Sequence, residues 1–175
     1  MTKTAGRIIF VIGGAKSGKS SFALRKAGAF PGKKAYVATA QPLDDEMKER
    51  IERHKAQRGK DWDTFEEPIK MAWVLKQMRR DYSAAVIDCL TLWLSNLLLG
   101  SEGLEEEVSA FLSFLKNADC PTLYIVSNEV GMGIVPDNAL SRRFRDRAGY
   151  LNQQVASIAD EVYLMTAGIP LRLKP

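Results

Sequence analysis

The sequence is poor in cysteine and histidine and contains no long hydrophobic run. Its 175 residues include two cysteines, Cys89 and Cys120, and one histidine, His54. Two distant cysteines outside any C-x-x-C arrangement give little support for a disulfide framework or a zinc site, and they favour a reducing cytoplasm. The most apolar stretch, Leu90 to Leu99, is interrupted by polar residues and has about half of the roughly 20 residues that span a bilayer. We therefore expect a cytoplasmic protein with no membrane segment.

The composition is that of an ordinary globular protein. Hydrophobic residues make up 46% and charged residues 26%, and the formal net charge is +4 at pH 7. A mild excess of Lys and Arg fits a nucleotide or polyphosphate ligand as well as it fits a nucleic acid. At this length one domain can bury roughly 70% of the surface of the unfolded chain. Without a repeat or linker, the sequence predicts a single domain over residues 1–175.

Short apolar runs bounded by turn residues alternate along the chain with amphipathic segments. The runs predicted as strands are Ile8–Ile12, Ala35–Ala38, Ala84–Ile87, Thr122–Val126 and Val162–Met165. Apolar strands separated by helices are typical of a mostly parallel open α/β sheet that helices cover on both faces. Ala167 and Gly168 lie between the last of these strands and a further run at Ile169–Leu173, so we expect an antiparallel hairpin. Pro170 then places the final strand at the edge of the sheet.

Helices are predicted wherever apolar residues recur with a period of 3.6. One follows the first strand from Ser20 to Ala29. A long one extends from Ala139 to Ala159 after an expected cap at Asp137 or Asn138, and its predicted apolar face consists of Leu140, Phe144, Leu151, Val155 and Ile158. The other three are indicated by Met71, Val74, Leu75 and Met78, by Leu90, Trp93, Leu94, Leu97 and Leu98, and by Val108, Phe111, Leu112 and Leu115.

The strongest motif lies between the first strand and the first helix. Its residues match G-x-x-x-x-G-K-[ST] and are, in order, Gly13, Gly14, Ala15, Lys16, Ser17, Gly18, Lys19 and Ser20. In this context the glycines let backbone N–H groups face a polyphosphate at the helix N-terminus. Lys19 would reach the β- and γ-phosphates, and Ser20 would bind Mg²⁺. The alternative, a glycine-rich turn without a ligand, explains the pattern less well.

A carboxylate stands at the end of another predicted strand. Asp88 follows Ala84–Ile87, and the carboxyl ends of parallel strands are where such sheets bind their ligands. It is the natural second metal-binding residue, although an Asp here can also cap the following helix. The sequence Asp146 to Gly149 spells D-x-x-G, but it lies inside a helical pattern and no N-K-x-D occurs, so a signalling GTPase is not indicated.

The segment from Asp44 to Arg58 is densely charged and contains His54. Helical spacing would put Met47, Ile51, His54 and Arg58 on one face, with further cations close by. Cationic neighbours disfavour the imidazolium, so this histidine would be neutral and nucleophilic. A surface histidine on a solvated helix explains the pattern equally well.

Two further features follow the fourth predicted strand. The stretch Ser127 to Pro136 contains two glycines, a carboxylate and an amide, which suits either a binding loop or a plain connector. After it, four arginines crowd the start of the long helix and would either bind phosphates or stay solvated, with solvation slightly favoured: Arg142, Arg143, Arg145 and Arg147.

Five segments together carry a resemblance to a known family. They are GGAKSGKS at 13–20, ATAQPLDDEM at 38–47, RIERHK at 50–55, DCLTLWLSNLL at 88–98 and SNEVGMGIVPDNALSRRFRDRAG at 127–149. The first is common to many nucleotide-binding proteins, whereas the EVGMGIVP loop and the R-H-K segment are much more specific. On these segments the chain resembles the bifunctional adenosylcobinamide kinase / adenosylcobinamide-phosphate guanylyltransferases of cobalamin biosynthesis.

The resemblance implies two reactions in one P-loop protein. ATP or GTP would phosphorylate adenosylcobinamide, and GTP would then donate GMP to that phosphate and release pyrophosphate. His54 matches the family's covalent histidine, and the assembly would be a homotrimer with the site near subunit contacts. Besides residues 13–20, the nucleotide contacts implied by the family fall on Ala38, Thr39, Ala40, Lys55, Ala56, Gln57, Arg58, Glu66 and Asp88. No nucleic acid is expected as a partner.

Two other functions remain open from the residues alone. A different small-molecule P-loop kinase would need Lys19, Ser20 and Asp88 but would not use His54 as a nucleophile. A RecA-like ATPase that binds nucleic acid through the arginine-rich helix would show salt-sensitive binding to polynucleotides.

Overall fold

The structure is a computed structural model, and it describes residues 6–41, 45, 49, 58–78, 81–100, 103–117 and 120–175. Four of the predicted site residues lie outside these ranges, namely His54, Lys55, Ala56 and Gln57. Met47 and Ile51 lie outside them as well.

One sheet organises the described part of the chain. Its strands are β1 (Ile8–Gly13), β2 (Lys34–Ala38), β3 (Trp62–Glu66), β4 (Ala84–Asp88), β5 (Thr122–Asn128), β6 (Glu161–Thr166) and β7 (Ile169–Lys174). They form a seven-stranded sheet in the order β3-β2-β4-β5-β1-β6-β7. All neighbouring pairs are parallel except β6 and β7. The predicted mostly parallel sheet with an antiparallel edge hairpin is therefore confirmed.

Helices cover both faces of this sheet. They are α1 (Lys19–Gly28), α2 (Met71–Met78), α3 (Leu90–Leu99), α4 (Leu104–Asn117) and α5 (Ala139–Ile158). Side chains of α2 to α5 form one buried cluster with one face of the sheet, and α1 forms a second cluster with the other face. The central strand β1 is buried along its whole length, because it has helices on both sides.

Most of the predicted helical faces pack as expected. Phe111, Leu112 and Leu115 of α4 are buried, and the ring of Phe111 lies 5.1 Å from that of Trp93 in α3. Asn138 caps α5 by accepting a hydrogen bond from the Ser141 N–H at 2.8 Å. The expectation was wrong at the start of this helix, where Leu140 is 52% exposed.

Strand β3 was not predicted. It pairs with β2 at the edge of the sheet, and its residues Trp62, Asp63, Thr64 and Phe65 alternate in polarity without forming an apolar run. None of its five residues is buried, because an edge strand has a partner on one side only. A search for continuous apolar runs therefore does not detect β3.

The C-terminal hairpin has the predicted form. Ala167 and Gly168 turn the chain with positive φ angles of 50° and 80°, as a type I′ turn requires. Pro170 lies in β7, at the edge of the sheet, where a missing N–H is tolerated. No helix in the described residues has both the length and the apolar character needed to cross a membrane.

Candidate active site at the carboxyl edge of the sheet

The glycine-rich loop connects β1 to α1, as its motif predicts. Gly13 ends the strand and Lys19 begins the helix, while Gly18 holds a left-handed φ of 93°. The Lys19 ammonium is folded into the loop, where its Nζ donates to the Gly14 carbonyl oxygen at 2.5 Å and to Ser17 Oγ at 3.4 Å. Only 7% of Lys19 is exposed, so the cation is surrounded by the loop atoms.

The hairpin of β6 and β7 packs against this loop. The Gly168 N–H donates to the Ser17 carbonyl oxygen at 3.0 Å. A Cβ at Gly13 would lie 2.4 Å from the Met165 carbonyl oxygen, and one at Gly18 would lie 3.3 Å from Gly168 Cα. The glycines therefore permit a close approach of the loop to the hairpin, besides the chain reversal that the motif itself indicates.

Asp88 is the last residue of β4, and its carboxylate has a specific partner. Tyr36 of β2 donates a hydrogen bond from its hydroxyl to Asp88 Oδ2 at 2.9 Å. Burial raises the pKa of Tyr36, and the charge of Asp88 and this hydrogen bond raise it further. The alternative role of Asp88 as a helix cap is wrong, because the cap position of α3 is Cys89.

Two carboxylates flank a small residue at this edge of the sheet. Ala38 at the end of β2 is in register with Glu66 of β3 on one side and with Asp88 of β4 on the other. Paired residues of parallel strands share a face, so both acids lie on the same side as Ala38. The Arg58 guanidinium lies 3.9 Å above the ring of Tyr36.

Burial and neighbouring groups have opposite effects on the pKa of Arg58. Its pKa is lowered by burial, and this effect is opposed by Tyr36, Asp88 and Glu66. Its Nη1 is buried and has no hydrogen-bond partner among the described residues. Arg58 also lines a cavity of about 610 Å³, together with Gly59, Trp62, Thr64 and Glu66.

The predicted contact segment at Ala38, Thr39 and Ala40 is held to helix α3. The Thr39 hydroxyl donates to the Cys89 carbonyl oxygen and accepts from the Cys89 N–H, both at 2.8 Å. The Thr39 carbonyl oxygen accepts from Asn96 Nδ2 at 2.8 Å. These bonds fix the segment beside Asp88 at the carboxyl edge of the sheet.

The stretch after β5 begins next to the glycine-rich loop. Asn128 is in register with Gly13, and the Glu129 N–H donates to the Gly13 carbonyl oxygen at 2.9 Å. Thr91 supports this end of the strand by accepting from the Asn128 N–H at 2.7 Å. Further along, Met132 and Ile134 are exposed. The position fits the binding-loop interpretation better than a plain connector.

Three of the four arginines at the start of α5 have partners inside the chain. Arg142 donates to the Pro136 carbonyl oxygen at 2.9 Å, Arg145 pairs with Asp146 at 3.0 Å, and Arg147 pairs with Glu105. These contacts disfavour a free basic surface for nucleic acid.

The oxygen donors of this edge fit Mg²⁺. Ser20 is half-buried in the first turn of α1, and Asp88 supplies a carboxylate. Within the described ranges, no group of three or more His, Cys, Asp or Glu side chains forms a metal site. Mg²⁺ needs no such group, because it is usually held by one or two protein oxygens together with substrate phosphates and water.

Sequence reasoning missed three polar residues of this site, namely Tyr36, Thr91 and Asn96. Each stands in an apolar strand or helix, where a polar atom gives no signal until its partner is known. The predicted residues that are described and that the sheet brings to one edge are the loop 13–20, Ala38 to Ala40, Glu66 and Asp88. Arg58 precedes β3, and its guanidinium reaches the Tyr36 ring in the middle of β2.

Comparison with solved structures agrees with the fold. The RadB recombinase aligns with 91% of this chain and 74% of its own at a TM-score of 0.51 and 16% identity. The ATPase EscN of the enteropathogenic E. coli type III secretion system aligns with 93% of this chain and 43% of its own, at a TM-score of 0.55 and 13% identity. The fold is that of the RecA-like P-loop NTPases.

Sequence relatives are more specific. The bifunctional adenosylcobalamin biosynthesis protein CobP of Pseudomonas aeruginosa is 42% identical over 94% of this chain and 95% of its own length. The bifunctional adenosylcobalamin biosynthesis protein CobU of Salmonella typhimurium is 38% identical over 95% of this chain and 99% of its own. A family model described as cobinamide kinase / cobinamide phosphate guanyltransferase matches residues 9–173. The chain therefore belongs to the cobinamide kinase / cobinamide phosphate guanyltransferase family.

Proposed function

We propose that this protein phosphorylates adenosylcobinamide with ATP or GTP and then transfers GMP from GTP to adenosylcobinamide phosphate. The products of the second reaction are adenosylcobinamide-GDP and pyrophosphate. The observation that carries the proposal is the glycine-rich loop with its buried Lys19, in a chain whose family description names both activities.

In the kinase step the protein holds the nucleotide and positions the acceptor hydroxyl. The backbone N–H groups of residues 13–20 and the Lys19 ammonium would bind the β- and γ-phosphates. Ser20 and Asp88 would hold Mg²⁺, which when bound would offset charge on the phosphates. Catalysis of phosphoryl transfer rests mainly on such positioning and charge stabilisation, and therefore needs no covalent intermediate.

In the guanylyl step His54 would act as the nucleophile. Its ring nitrogen would attack the α-phosphorus of GTP, forming a P–N bond while the bond to pyrophosphate breaks. The phosphate of adenosylcobinamide phosphate would then attack the same phosphorus and break the P–N bond, which returns the histidine. Dividing one displacement into two lowers the barrier of each. Lys55 and Arg58 would stabilise the charge on the transferred and leaving phosphates.

The remaining nucleotide contacts in this proposal are Ala38, Thr39, Ala40, Ala56, Gln57 and Glu66. The side chain and carbonyl oxygen of Thr39 are already hydrogen-bonded to Cys89 and Asn96. The segment Ala38 to Ala40 would therefore contribute mainly to the shape of the nucleotide site. We also propose that the protein is a cytoplasmic homotrimer and that it binds no nucleic acid.

The test is an assay of the purified protein with adenosylcobinamide, Mg²⁺ and each nucleotide in turn. We expect ATP or GTP to give a phosphorylated product. Only GTP should give the GMP-coupled product, and pyrophosphate should be released with it. A protein that phosphorylates but never couples GMP would instead be a simple P-loop kinase. Nucleotide turnover that needs a polynucleotide would favour the RecA-like ATPase.

A further inference from the structure

Tyr36 contacts two charged groups of the site, Asp88 and Arg58. It lies in the middle of β2 and is 3% exposed. Tyr36 is in register with Val86, and Ala38 with Asp88, so Tyr36 and Asp88 project to the same face of the sheet. That face also carries α1 and the buried cluster packed against it.

The Tyr36 side chain contacts an anion and a cation at the same time. The hydroxyl donates to Asp88 Oδ2 at 2.9 Å, while the ring face carries the Arg58 guanidinium at 3.9 Å. Hydrogen bonds to a charged group are about twice as strong as neutral ones, and a guanidinium on an aromatic face gains most where water is excluded. Both contacts therefore restrict groups that would otherwise move separately.

We propose that Tyr36 is a positioning residue that sets the Asp88 carboxylate and the Arg58 guanidinium for Mg²⁺-dependent binding of GTP. This inference rests on the proposed function, in which both partners contact the nucleotide or its metal. The two contacts have separable consequences. The hydroxyl orients a carboxylate that both reactions need, whereas the ring orients a cation that only the guanylyl step needs.

The surroundings of Arg58 support the second part. Its Nη1 is buried and has no partner among the described residues, and an unsatisfied buried donor is costly. The side chain borders the 610 Å³ cavity, so an anionic ligand there would satisfy it. Arg58 is also four residues from His54 along the chain.

Two substitutions at Tyr36 separate its contacts. Tyr36→Phe removes the hydroxyl and keeps the ring, and we expect it to raise the Mg²⁺ concentration for half-maximal activity about tenfold in both reactions. Tyr36→Leu removes both, and we expect in addition a rise of about fivefold in the KM for GTP in the guanylyl step. Arg58→Ala should reproduce this KM effect without any change in the core.

The matched control is Tyr82→Phe. Tyr82 also donates from its hydroxyl to a carboxylate, Asp63 Oδ2, at 2.9 Å, but it does not line the 610 Å³ cavity. We expect its Mg²⁺ dependence and its KM for GTP to equal those of the unaltered protein. Thermal unfolding of each variant shows whether it is folded.

Binding measurements keep this test independent of the proposed reactions. A fluorescent non-hydrolysable GTP analogue is titrated at several Mg²⁺ concentrations, with the same variants. Tighter binding with Mg²⁺ that weakens in Tyr36→Phe supports the inference, even if the unaltered protein makes neither product and the proposed function fails. An unchanged Mg²⁺ dependence in folded Tyr36→Phe overturns the hydroxyl role, and equal GTP affinity in Tyr36→Phe, Tyr36→Leu and Arg58→Ala overturns the ring role.

Discussion

At the scale of single residues, Lys19 is the side chain on which both proposed reactions depend. Its ammonium is enclosed by the glycine-rich loop and held by the Gly14 carbonyl oxygen. We expect Lys19→Ala to lower kcat/KM for the nucleotide about 100-fold in both reactions, because each needs negative charge on the phosphates offset. Steady-state kinetics with ATP and GTP measure this.

A lysine of the same helix supplies the control for Lys19. Lys26 is exposed in the last turn of α1, so Lys26→Ala removes one positive charge without changing the loop. Its kinetic constants should match those of the unaltered protein. Wild-type turnover by Lys19→Ala in both reactions would contradict the assignment of the loop.

His54 is the only histidine of the chain, so a histidine adduct has one possible position. We expect α-labelled GTP with Mg²⁺ to leave label on the denatured protein in an acid-labile, base-stable bond, which is the behaviour of a phosphoramidate. His54→Ala should abolish both the label and guanylyl transfer, while phosphorylation of adenosylcobinamide continues and serves as the internal control. GMP transfer at the normal rate by this variant would falsify the nucleophile role, and an equal loss of both reactions would indicate a structural one.

Sequence reasoning reached some site residues and not others for a physical reason. The loop at 13–20 has a fixed local spacing, so its position follows from the chain alone. Tyr36 acts through Asp88, which is 52 positions away, and only the pairing of β2 with β4 brings the two together. A tyrosine in an apolar strand looks like any buried aromatic residue until that pairing is known.

At the scale of elements, the C-terminal hairpin packs against the glycine-rich loop. Gly168 has a φ of 80° and donates to the Ser17 carbonyl oxygen. We expect Gly168→Ala to strain this turn by about 1–2 kcal/mol, since left-handed backbone is unfavourable for alanine. Because the hairpin contacts the loop, the KM for nucleotide should rise several-fold in both reactions.

Gly103 provides the matched substitution. It has a φ of 87° and open space around its Cβ position, and it precedes α4. Gly103→Ala should therefore lower the melting temperature by a similar amount but leave the KM for nucleotide unchanged. If Gly168→Ala melts earlier yet binds nucleotide normally, the hairpin is a structural element only.

The elements that sequence patterns predicted best are those buried on both sides. The central strands β1, β4 and β5 are continuous apolar runs, because helices cover both of their faces. Strand β3 lacks this signal because it is a half-exposed edge strand. The failure to predict β3 matters for function, because its residues Trp62, Thr64 and Glu66 line the cavity beside Arg58.

At the scale of the whole molecule, the direction of the parallel strands brings most of the described site residues to one edge of the sheet. In a parallel sheet the carboxyl ends of all strands point the same way, so residues from β1, β2, β3 and β4 converge there. The fold class could therefore be predicted from the alternation of elements, whereas the order of the strands could not. That the whole chain is one domain stays a prediction.

Self-association is the last prediction, and it concerns an apolar face at the far edge of the sheet. Ile169 and Leu171 alternate along the regularly paired part of β7, so they share one face, and they are 69% and 58% exposed. An exposed edge strand with an apolar face tends to pair or pack with another chain unless it is covered. The family resemblance implies a trimer, and we expect light scattering to give three times the chain mass of 19.5 kDa.

Substitutions on this face test whether it contributes to the contact. Leu171→Asp would bury a charge in such an interface, so we expect the trimer to dissociate at working protein concentrations. Leu99→Asp is the control, because Leu99 is 71% exposed at the end of α3, away from β7. A monomer in the unaltered protein would contradict the assembly itself. A trimer that survives Leu171→Asp would contradict the β7 face alone. The other candidate contact would then be Met47 and Ile51, which are almost the only apolar residues of the charged segment Asp44 to Arg58.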